Sequence, residues 1–326
     1  MNKVNIKDIN TTINAYDVFI CSTSFEDRCL SITSHLNSDQ FNKIIVCHFK
    51  DNYPEANANL HKLQDILGDK CSVLYLEKDS PLSNYDIIYD ELASTHFESA
   101  LLDISTFTRE MFLIIIKLFE QGNFKTKSLT LTYNPSDNYS SFPKDEVSNL
   151  WLSKGVKEIR TVLGYSGDLS PIKDNLLIVL VGFEADRSQV IIDSFEAEKL
   201  YLGRAPEGES TNENLAQIND INFKMLLRNN PHASSFEFSC KNIDISIQAI
   251  CNIVRENKDD YNIIISPMCN KLSTLATVAV SHKYPEVQIC YASTNLYNTV
   301  AYSTPSDYIY IIEANELYNR VGDKRK

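Results

Sequence analysis

The turn with the clearest capacity for chemistry is DISTFTRE, residues 103–110, which separates an apolar run from a helical pattern. Ser105 and Thr106 supply hydroxyl groups, and Arg109 supplies a positive charge on the first turn of the predicted helix. Because a helix N-terminus presents unpaired N–H groups, this combination suits a phosphate or another planar anion. The structural alternative is that Ser105 or Thr106 only caps the helix while Asp103 holds the loop.

A second turn, SPMCNK at 266–271, brings Asn270 and Lys271 to the start of another predicted helix. Its structural alternative is an ordinary capped helix with an exposed lysine. Since ligands of open parallel sheets bind beyond the carboxyl ends of the strands, we predict an anion-accepting cleft at each of the two turns. Arg109 lines one predicted cleft and Lys271 the other.

One strand-to-helix turn occurs twice, in FICSTSFEDRCL (19–30) and VLVGFEADRSQV (179–190). In one interpretation the glutamate and arginine of each turn form a structural ion pair. In the other they belong to a ligand-binding or catalytic site. The carboxylates considered for acid–base catalysis are Glu26, Asp103 and Glu184. The further candidate ligand-binding residues are Ser24, Phe25, Arg28, Asn59, Phe183, Arg187, Arg204 and Asn214.

These turns require strands and helices that alternate along the chain. Continuous apolar runs separated by helical patterns predict an α/β fold with mainly parallel sheets in two doubly wound, Rossmann-like units. The predicted strands are 16–22, 43–50, 72–77, 100–105 and 128–133 in the first half, and 176–182, 199–204, 235–240, 262–267 and 287–292 in the second half, with an extra strand at 307–314.

Matched spacing indicates an internal duplication. Phe25 precedes Asn59 by 34 residues, and Phe183 precedes Asn214 by 31 residues. Each fifth strand ends in a tyrosine followed by small polar residues. We therefore predict a strand order of 3-2-1-4-5 in each repeat. The predicted domains are a first repeat at 1–140, a helical connection at 141–174 with Trp151 on a short helix, and a second repeat at 175–326.

Composition excludes several classes of function. The chain has 326 residues and a net charge of −12, which disfavours sequence-independent binding of nucleic acid. With nine glycines and neither G-x-G-x-x-G nor a Walker A loop, no cofactor is predicted. The eight cysteines show no C-x-x-C spacing, so we predict buried thiols and no metal site. No membrane span or signal peptide is found, and we expect a cytoplasmic protein.

The turn DISTFTR resembles the motif after the fourth strand of the CRISPR-associated Rossmann-fold (CARF) sensors, and the two-unit layout resembles SAVED domains. The resemblance implies that Ser105, Thr106 and Arg109 contact a cyclic oligonucleotide second messenger, together with the first turn near Ser24 and Phe25. The chain departs from the motif in two ways. Residue 107 is a phenylalanine where the motif has a glycine, and SPMCNKL has neither its aspartate nor its arginine.

Three functions are compatible with the sequence. The first is a ligand-sensing or recognition protein that binds a nucleotide-type anion, placed in bacterial antiviral defence by the resemblance alone. The second is a hydrolase or nuclease that processes nucleotides or nucleosides with Glu26, Asp103 or Glu184. The third is a non-catalytic interaction subunit of a defence complex. The expected partners are a small nucleotide-type ligand, a protein encoded in the same defence operon and further copies of this chain.

Overall fold

The computed structural model describes residues 1–50, 53–125, 127–139, 151–210, 213–299 and 303–321. The chain forms two compact units, each assembled from two segments. Unit 1 comprises Met1–Ser148 and Thr299–Glu316, and unit 2 comprises Asn149–Asn298 and Leu317–Lys326.

The strands are β1 (Asn2–Asn5), β2 (Tyr16–Ser22), β3 (Phe41–Phe49), β4 (Cys71–Leu76), β5 (Ser99–Asp103), β6 (Ser128–Tyr133), β7 (Ser136–Tyr139), β8 (Ser153–Lys154), β9 (Glu158–Thr161), β10 (Asp174–Leu180), β11 (Lys199–Arg204), β12 (Ser234–Glu237), β13 (Tyr261–Pro267), β14 (Gln288–Ser293), β15 (Leu296–Tyr297), β16 (Ser303–Pro305) and β17 (Tyr308–Glu313). The helices are α1 (Ile9–Thr12), α2 (Arg28–Ser31), α3 (Pro54–Leu67), α4 (Pro81–Ala93), α5 (Arg109–Phe119), α6 (Ala185–Phe195), α7 (Glu213–Asn229), α8 (Ile243–Asn257), α9 (Lys271–Lys283) and α10 (Ala314–Asn319).

Each unit is built on five parallel strands, which we call its first to fifth strands in chain order. Unit 1 has the sheet order β1-β17-β6-β5-β2-β3-β4, and unit 2 has the order β12-β11-β10-β13-β14-β9. The strands β2 to β6 and β10 to β14 pair in parallel within their sheets. The predicted order 3-2-1-4-5 is therefore confirmed in both units, and so is the α/β class.

The central strands and the helices after the fourth strands hold the two cores. From Val18 the first strand of unit 1 is buried at every residue, as is the first strand of unit 2 from Leu176. In α5 nine of the side chains are buried, and in α9 every residue from Leu272 to Ser281 is buried. Helices buried this completely cover the sheet face behind the turns that carry Arg109 and Lys271.

The edge strands are exchanged between the two halves of the sequence. The predicted strand at 307–314 is present as β17, but it pairs antiparallel with β6 and so belongs to unit 1. In unit 2 the corresponding antiparallel edge is β9, which pairs with β14. Each unit is thus completed by a segment that follows the fifth strand of the other unit in the sequence.

The segment before β10 differs from its prediction. We expected a helical connection at 141–174 with Trp151 on a short helix. Residues 151–174, the part of this connection that the structure describes, contain β8, β9 and the first residue of β10, and no helix. The rest of the predicted connection lies outside the described residues.

The helix predicted after the first strand of unit 1 is also shorter than expected. The pattern EDRCLSITSHL predicts a helix over 26–36, whereas α2 has four residues and is followed by a 3₁₀ turn. Hydroxyl groups bond back to the backbone here, from Ser31 to the Arg28 carbonyl and from Ser34 to the Leu30 carbonyl. Such bonds compete with regular helical pairing and shorten the helix.

None of the helices in the described ranges combines the length and apolar character needed to cross a membrane.

Candidate functional site

A buried ion pair lies just beyond the end of the first strand in unit 1. Arg28 donates through Nε and Nη2 to Glu26 Oε2, each at 2.9 Å. Arg28 Nη1 donates to the carbonyl oxygen of Asn134 at 3.1 Å, and the hydroxyl of Ser303 donates to the same glutamate oxygen. Glu26 and Arg28 are both buried. These contacts favour the structural interpretation of the pair over a catalytic or ligand-binding one.

Unit 2 contains the same arrangement. Arg187 Nη1 donates to Glu184 Oε2 at 2.6 Å, and Nη2 donates to the carbonyl oxygen of Ala292. The hydroxyl of Ser153 donates to Glu184 Oε1. Burial is the largest single influence on Arg187 and opposes its charge, but Glu184, Tyr291 and Tyr297 together outweigh it, so the pKa of Arg187 is raised. This glutamate too is occupied by structural contacts.

The equivalence of the two units extends to strand register. In the two-stranded ribbons beside the sheets, Ser303 pairs with Tyr139 and Ser153 pairs with Tyr297. Both tyrosines lie six residues beyond the tyrosine near the end of the fifth strand of their unit. The serines therefore occupy matching positions in a duplicated framework.

The turn DISTFTRE is fixed by its own hydroxyl groups. Asp103 Oδ1 accepts hydrogen bonds from the backbone N–H of Ser105, at 2.9 Å, and from its hydroxyl. Ser105 Oγ in turn accepts from the backbone N–H of Asn134 at 2.8 Å. Thr106 Oγ1 donates to the Ser22 carbonyl at 2.9 Å. Asp103 thus holds the loop, as the structural alternative proposed.

The cap of the following helix is a different residue from the one expected. Thr108 is the N-cap of α5, and its Oγ1 accepts from the backbone N–H of Met111 at 3.2 Å. The expectation that Ser105 or Thr106 caps this helix is wrong, because their hydroxyls bond to other parts of the loop and to the first strand. Arg109 is the first residue of α5 and is half-buried, which is the position predicted for it.

In unit 2 the matching helix begins in the same way. Asn270 is the N-cap of α9, and its Oδ1 accepts from the backbone N–H of Ser273 at 2.9 Å. Asn270 Nδ2 donates to the Cys240 carbonyl at 2.7 Å, so this side chain joins the turns after the third and fourth strands. Lys271 is the first residue of the helix and is half-buried. A basic side chain therefore stands at the start of the corresponding helix in each unit.

The carboxyl edge of the sheet in unit 1 brings the remaining candidates together. Asn59 is buried, and its Nδ2 donates to the Ser24 carbonyl at 3.0 Å, which fixes the first turn. Phe25 is half-buried and packs against Tyr53, with ring centroids 5.2 Å apart. Lys62 Nζ donates to Asn59 Oδ1 at 3.1 Å. Ser24 and Phe25 are thus presented at the edge, whereas Asn59 positions them.

In unit 2 a cavity of about 640 Å³ lies at the carboxyl ends of the strands. Its walls come from the turn after β10, the end of β11, helix α7 and the turn after β13. The lining residues are Val181, Arg204, Ala205, Pro206, Glu207, Ala216, Gln217, Asn219, Asp220, Phe223, Lys224 and Cys269. Among the predicted ligand-binding residues, Arg204 is part of this wall.

Charged groups share one side of the cavity. Arg204 Nη1 lies 2.9 Å from Asp220 Oδ1, and Lys224 Nζ lies 2.5 Å from Asp220 Oδ2. The hydrogen bond from Lys224 lowers the pKa of Asp220, and the charge of Arg204 contributes in the same direction. The Arg204 guanidinium also lies 5.7 Å from the ring centroid of Phe223. Because these ion pairs are half-exposed, an incoming anion competes with Asp220 at a small energetic cost.

One residue that lines the cavity carries a buried oxygen for which the described residues supply no donor. Asn219 Oδ1 is buried and accepts no hydrogen bond from any residue that the structure describes. A buried acceptor without a donor is energetically costly. Two other predicted ligand-binding residues, Phe183 and Asn214, are not among the residues that line the cavity. The Phe183 carbonyl accepts from Asn222 Nδ2 at 2.8 Å, and Asn214 lies in α7 with a side chain outside the described residues.

Sequence reasoning missed several residues that build these sites. Asn134 is fully buried, and its Nδ2 donates to the Ser306 carbonyl at 2.8 Å. His48 Nδ1 lies 2.8 Å from Thr23 Oγ1, and burial lowers the pKa of His48. The sequence did contain a signal for Asn134, because this residue follows the tyrosine near the end of a fifth strand. It contained no signal for His48, which is an isolated histidine in an apolar run.

The described ranges contain no cluster of three or more histidine, cysteine, aspartate or glutamate side chains that could hold a metal ion. Glu26 and Asp103 lie in unit 1 and Glu184 in unit 2.

Comparison with known proteins shows a structural likeness to part of the chain. No protein-family model matches the chain. No curated protein matches it either. Among solved structures, a spermidine synthase in complex with the transition-state analogue AdoDATO is similar to 41% of the chain, with 13% sequence identity and a TM-score of 0.22. The similar region spans 40% of that protein, so the likeness is to part of each chain.

Proposed function

We propose that this chain is a ligand-sensing protein that binds a nucleotide-type anion in the cavity of unit 2. The observation that carries the proposal is the position of the cavity, at the carboxyl ends of β10, β11 and β13. Ligands of open α/β sheets bind at this edge, and a volume of about 640 Å³ is within the usual range for a small-molecule site.

The chemistry of the wall supports a nucleotide-type ligand. Arg204 and Lys224 supply cations for a phosphate, although each also binds Asp220. Val181 and Ala205 offer apolar surface for a planar base. Asn219 also lines the cavity, and its amide can hydrogen-bond to a base.

The contacts of the three candidate carboxylates argue against the hydrolase or nuclease alternative. Glu26 and Glu184 each bind an arginine and a serine, and Asp103 binds the backbone and hydroxyl of Ser105. A general acid or base needs a side chain that can reach the substrate. We therefore propose sensing rather than catalysis as the activity of this chain.

A cavity-filling variant tests the proposal. Ala216→Phe places a ring inside the cavity, whereas Ile221→Phe adds a similar ring at an exposed position of the same helix. Calorimetry would compare both variants with the unaltered chain, using inorganic phosphate, nucleosides, and linear and cyclic nucleotides. We expect at least one nucleotide to bind in the unit 2 cavity of the unaltered chain and of Ile221→Phe, and this site to be lost in Ala216→Phe.

Two results would overturn the proposal. One is the absence of binding across the whole panel. The other is equal binding by all three proteins, which would place the ligand elsewhere. Chromatography of the mixtures after incubation separates sensing from catalysis, because conversion of a nucleotide into products would favour the hydrolase.

The biological setting remains a proposal that rests on the resemblance to CARF and SAVED proteins. We propose that the ligand is a cyclic oligonucleotide and that the chain acts in antiviral defence with a protein partner or with further copies of itself. Genes beside the coding sequence test this setting. A neighbouring nucleotide cyclase, nuclease or reverse transcriptase would support it, and a neighbourhood of unrelated metabolic genes would count against it.

A further inference from the structure

Two thiols meet at the cavity of unit 2. Cys240 follows β12 and is buried, while Cys269 follows β13, is half-buried and lines the cavity. Their sulfur atoms lie 3.3 Å apart. Asn270 Nδ2 donates to the Cys240 carbonyl at 2.7 Å, and the backbone N–H of Cys240 donates to the Glu209 carbonyl at 2.9 Å. The two thiols are therefore held together by a fixed backbone arrangement.

We propose that Cys240 and Cys269 form a reversible disulfide, with Cys269 as the residue that reacts first with the oxidant. Formation of the bond requires the sulfur atoms to approach from 3.3 Å to about 2.05 Å, a movement within the reach of side-chain rotation. The inference depends only on these two residues and on access through the cavity, so it stands independently of the proposed ligand.

The surroundings of Cys269 favour its reactivity. It directly precedes the N-cap of α9, a helix of 13 residues, and the positive end of a helix stabilises a thiolate, which is the nucleophilic form. Five of the other cysteines, Cys21, Cys29, Cys47, Cys251 and Cys290, are buried, and Cys71 is half-buried. Burial raises the pKa of Cys29 and of Cys290 to about 12 each. These thiols are expected to remain unreactive under mild oxidation.

The chemistry balances with hydrogen peroxide as the oxidant. The Cys269 thiolate attacks one peroxide oxygen, the O–O bond breaks, and the sulfur becomes a sulfenic acid while hydroxide leaves and is protonated to water. The Cys240 thiol then attacks the sulfenic sulfur, and a second water leaves as the S–S bond forms. Two thiols and one peroxide thus give one disulfide and two waters, and a dithiol reductant restores the thiols.

Peptide mapping of the full chain under non-reducing conditions tests the inference. After mild treatment with hydrogen peroxide, we expect one linked peptide pair that contains Cys240 and Cys269 and has lost two hydrogens. It should disappear after reduction with dithiothreitol. In Cys240→Ser a sulfenic acid should be trapped on Cys269 by dimedone, whereas Cys29→Ser should form the disulfide as the unaltered chain does.

The opposite results are equally clear. If the peptides remain unlinked while peroxide oxidises other residues, the thiols do not form a disulfide. If dimedone labels Cys240 in Cys269→Ser as strongly as it labels Cys269 in Cys240→Ser, the assigned order of reaction is wrong. These measurements need no nucleotide, so their failure is distinguishable from failure of the proposed function.

Discussion

Ser153 and Ser303 have the same relationship to their units: each donates its hydroxyl to the glutamate that follows the first strand, which is buried in unit 1 and largely buried in unit 2. Each serine also lies on a short strand that precedes an antiparallel edge strand. In the sequence, however, each serine comes after the fifth strand of the other unit. The duplicated element therefore includes the ribbon and the edge strand, and the chain interleaves two copies rather than joining two closed domains.

The interleaving predicts that residues 1–298 do not contain a complete unit 1. Truncation after Asn298 removes β17, whose Ile309 and Ile312 are fully buried. Burial of each isoleucine contributes about 1.5–3 kcal/mol, and removal of β17 also leaves β6 as an unpaired edge. We expect rapid amide exchange in β6 and slow exchange in β14.

Two comparisons control for the truncation itself. A chain that ends at Glu316 keeps β17 and should protect β6 fully. A synthetic peptide of residues 299–316, added to the truncated chain, should restore part of that protection. Equal protection of β6 in the truncated and full-length chains would contradict the interleaved arrangement.

The buried ion pair of unit 2 should be far more important for stability than an exposed one. Arg187→Met leaves the carboxylate of Glu184 without its cation in a largely buried position. Loss of one partner of a buried pair costs about 3–5 kcal/mol, so the urea midpoint of unit 2 should fall clearly. Arg204→Met is the matched control, because its solvent-accessible pairs with Asp220 and Glu237 contribute about 0–1 kcal/mol each. Similar losses in the two variants would refute this ranking.

The sequence predicted the parts of the fold that depend on local patterns. Continuous apolar runs identified every parallel strand, and Asp-Arg turns located both ion pairs. It did not reveal the strand partner of residues 308–313, because an edge strand has the same pattern whichever sheet it joins. The cap of α5 was misplaced because Ser105, Thr106 and Thr108 are all capping residues by type. Only the tertiary contacts of Ser105 and Thr106 distinguish them from Thr108.

His48 should make the stability of the chain sensitive to mild acid. Because burial lowers the pKa of His48 in the folded state, the unfolded chain binds a proton more readily. Stability should therefore fall as the pH drops through the ordinary histidine pKa near 6.5, by at most about 1.4 kcal/mol per pH unit for one proton. Urea unfolding at pH 7.5, 6.5 and 5.5 would compare the chain with His48→Gln.

The difference between the two proteins isolates this histidine, because the other histidines are common to both. The stability advantage of the unaltered chain over His48→Gln should shrink toward pH 5.5. A constant difference, or one that grows in acid, would show that the protonation of His48 is not coupled to folding.

Arg109 tests whether unit 1 contains a second anion-accepting cleft. It is the first residue of α5, where backbone N–H groups already favour negative charge. A charge-assisted hydrogen bond contributes about 1.5–3 kcal/mol, so Arg109→Ala should weaken a nucleotide bound in unit 1 about ten- to a hundred-fold. Lys70→Ala is the control, since Lys70 precedes β4 and lies at the opposite edge of the sheet. Calorimetry should show two sites of unaltered affinity in the unaltered chain and in Lys70→Ala. In Arg109→Ala it should show a weakened unit 1 site beside an unchanged unit 2 site. Identical isotherms for all three proteins would assign Arg109 a purely structural role and leave the cavity of unit 2 as the single candidate.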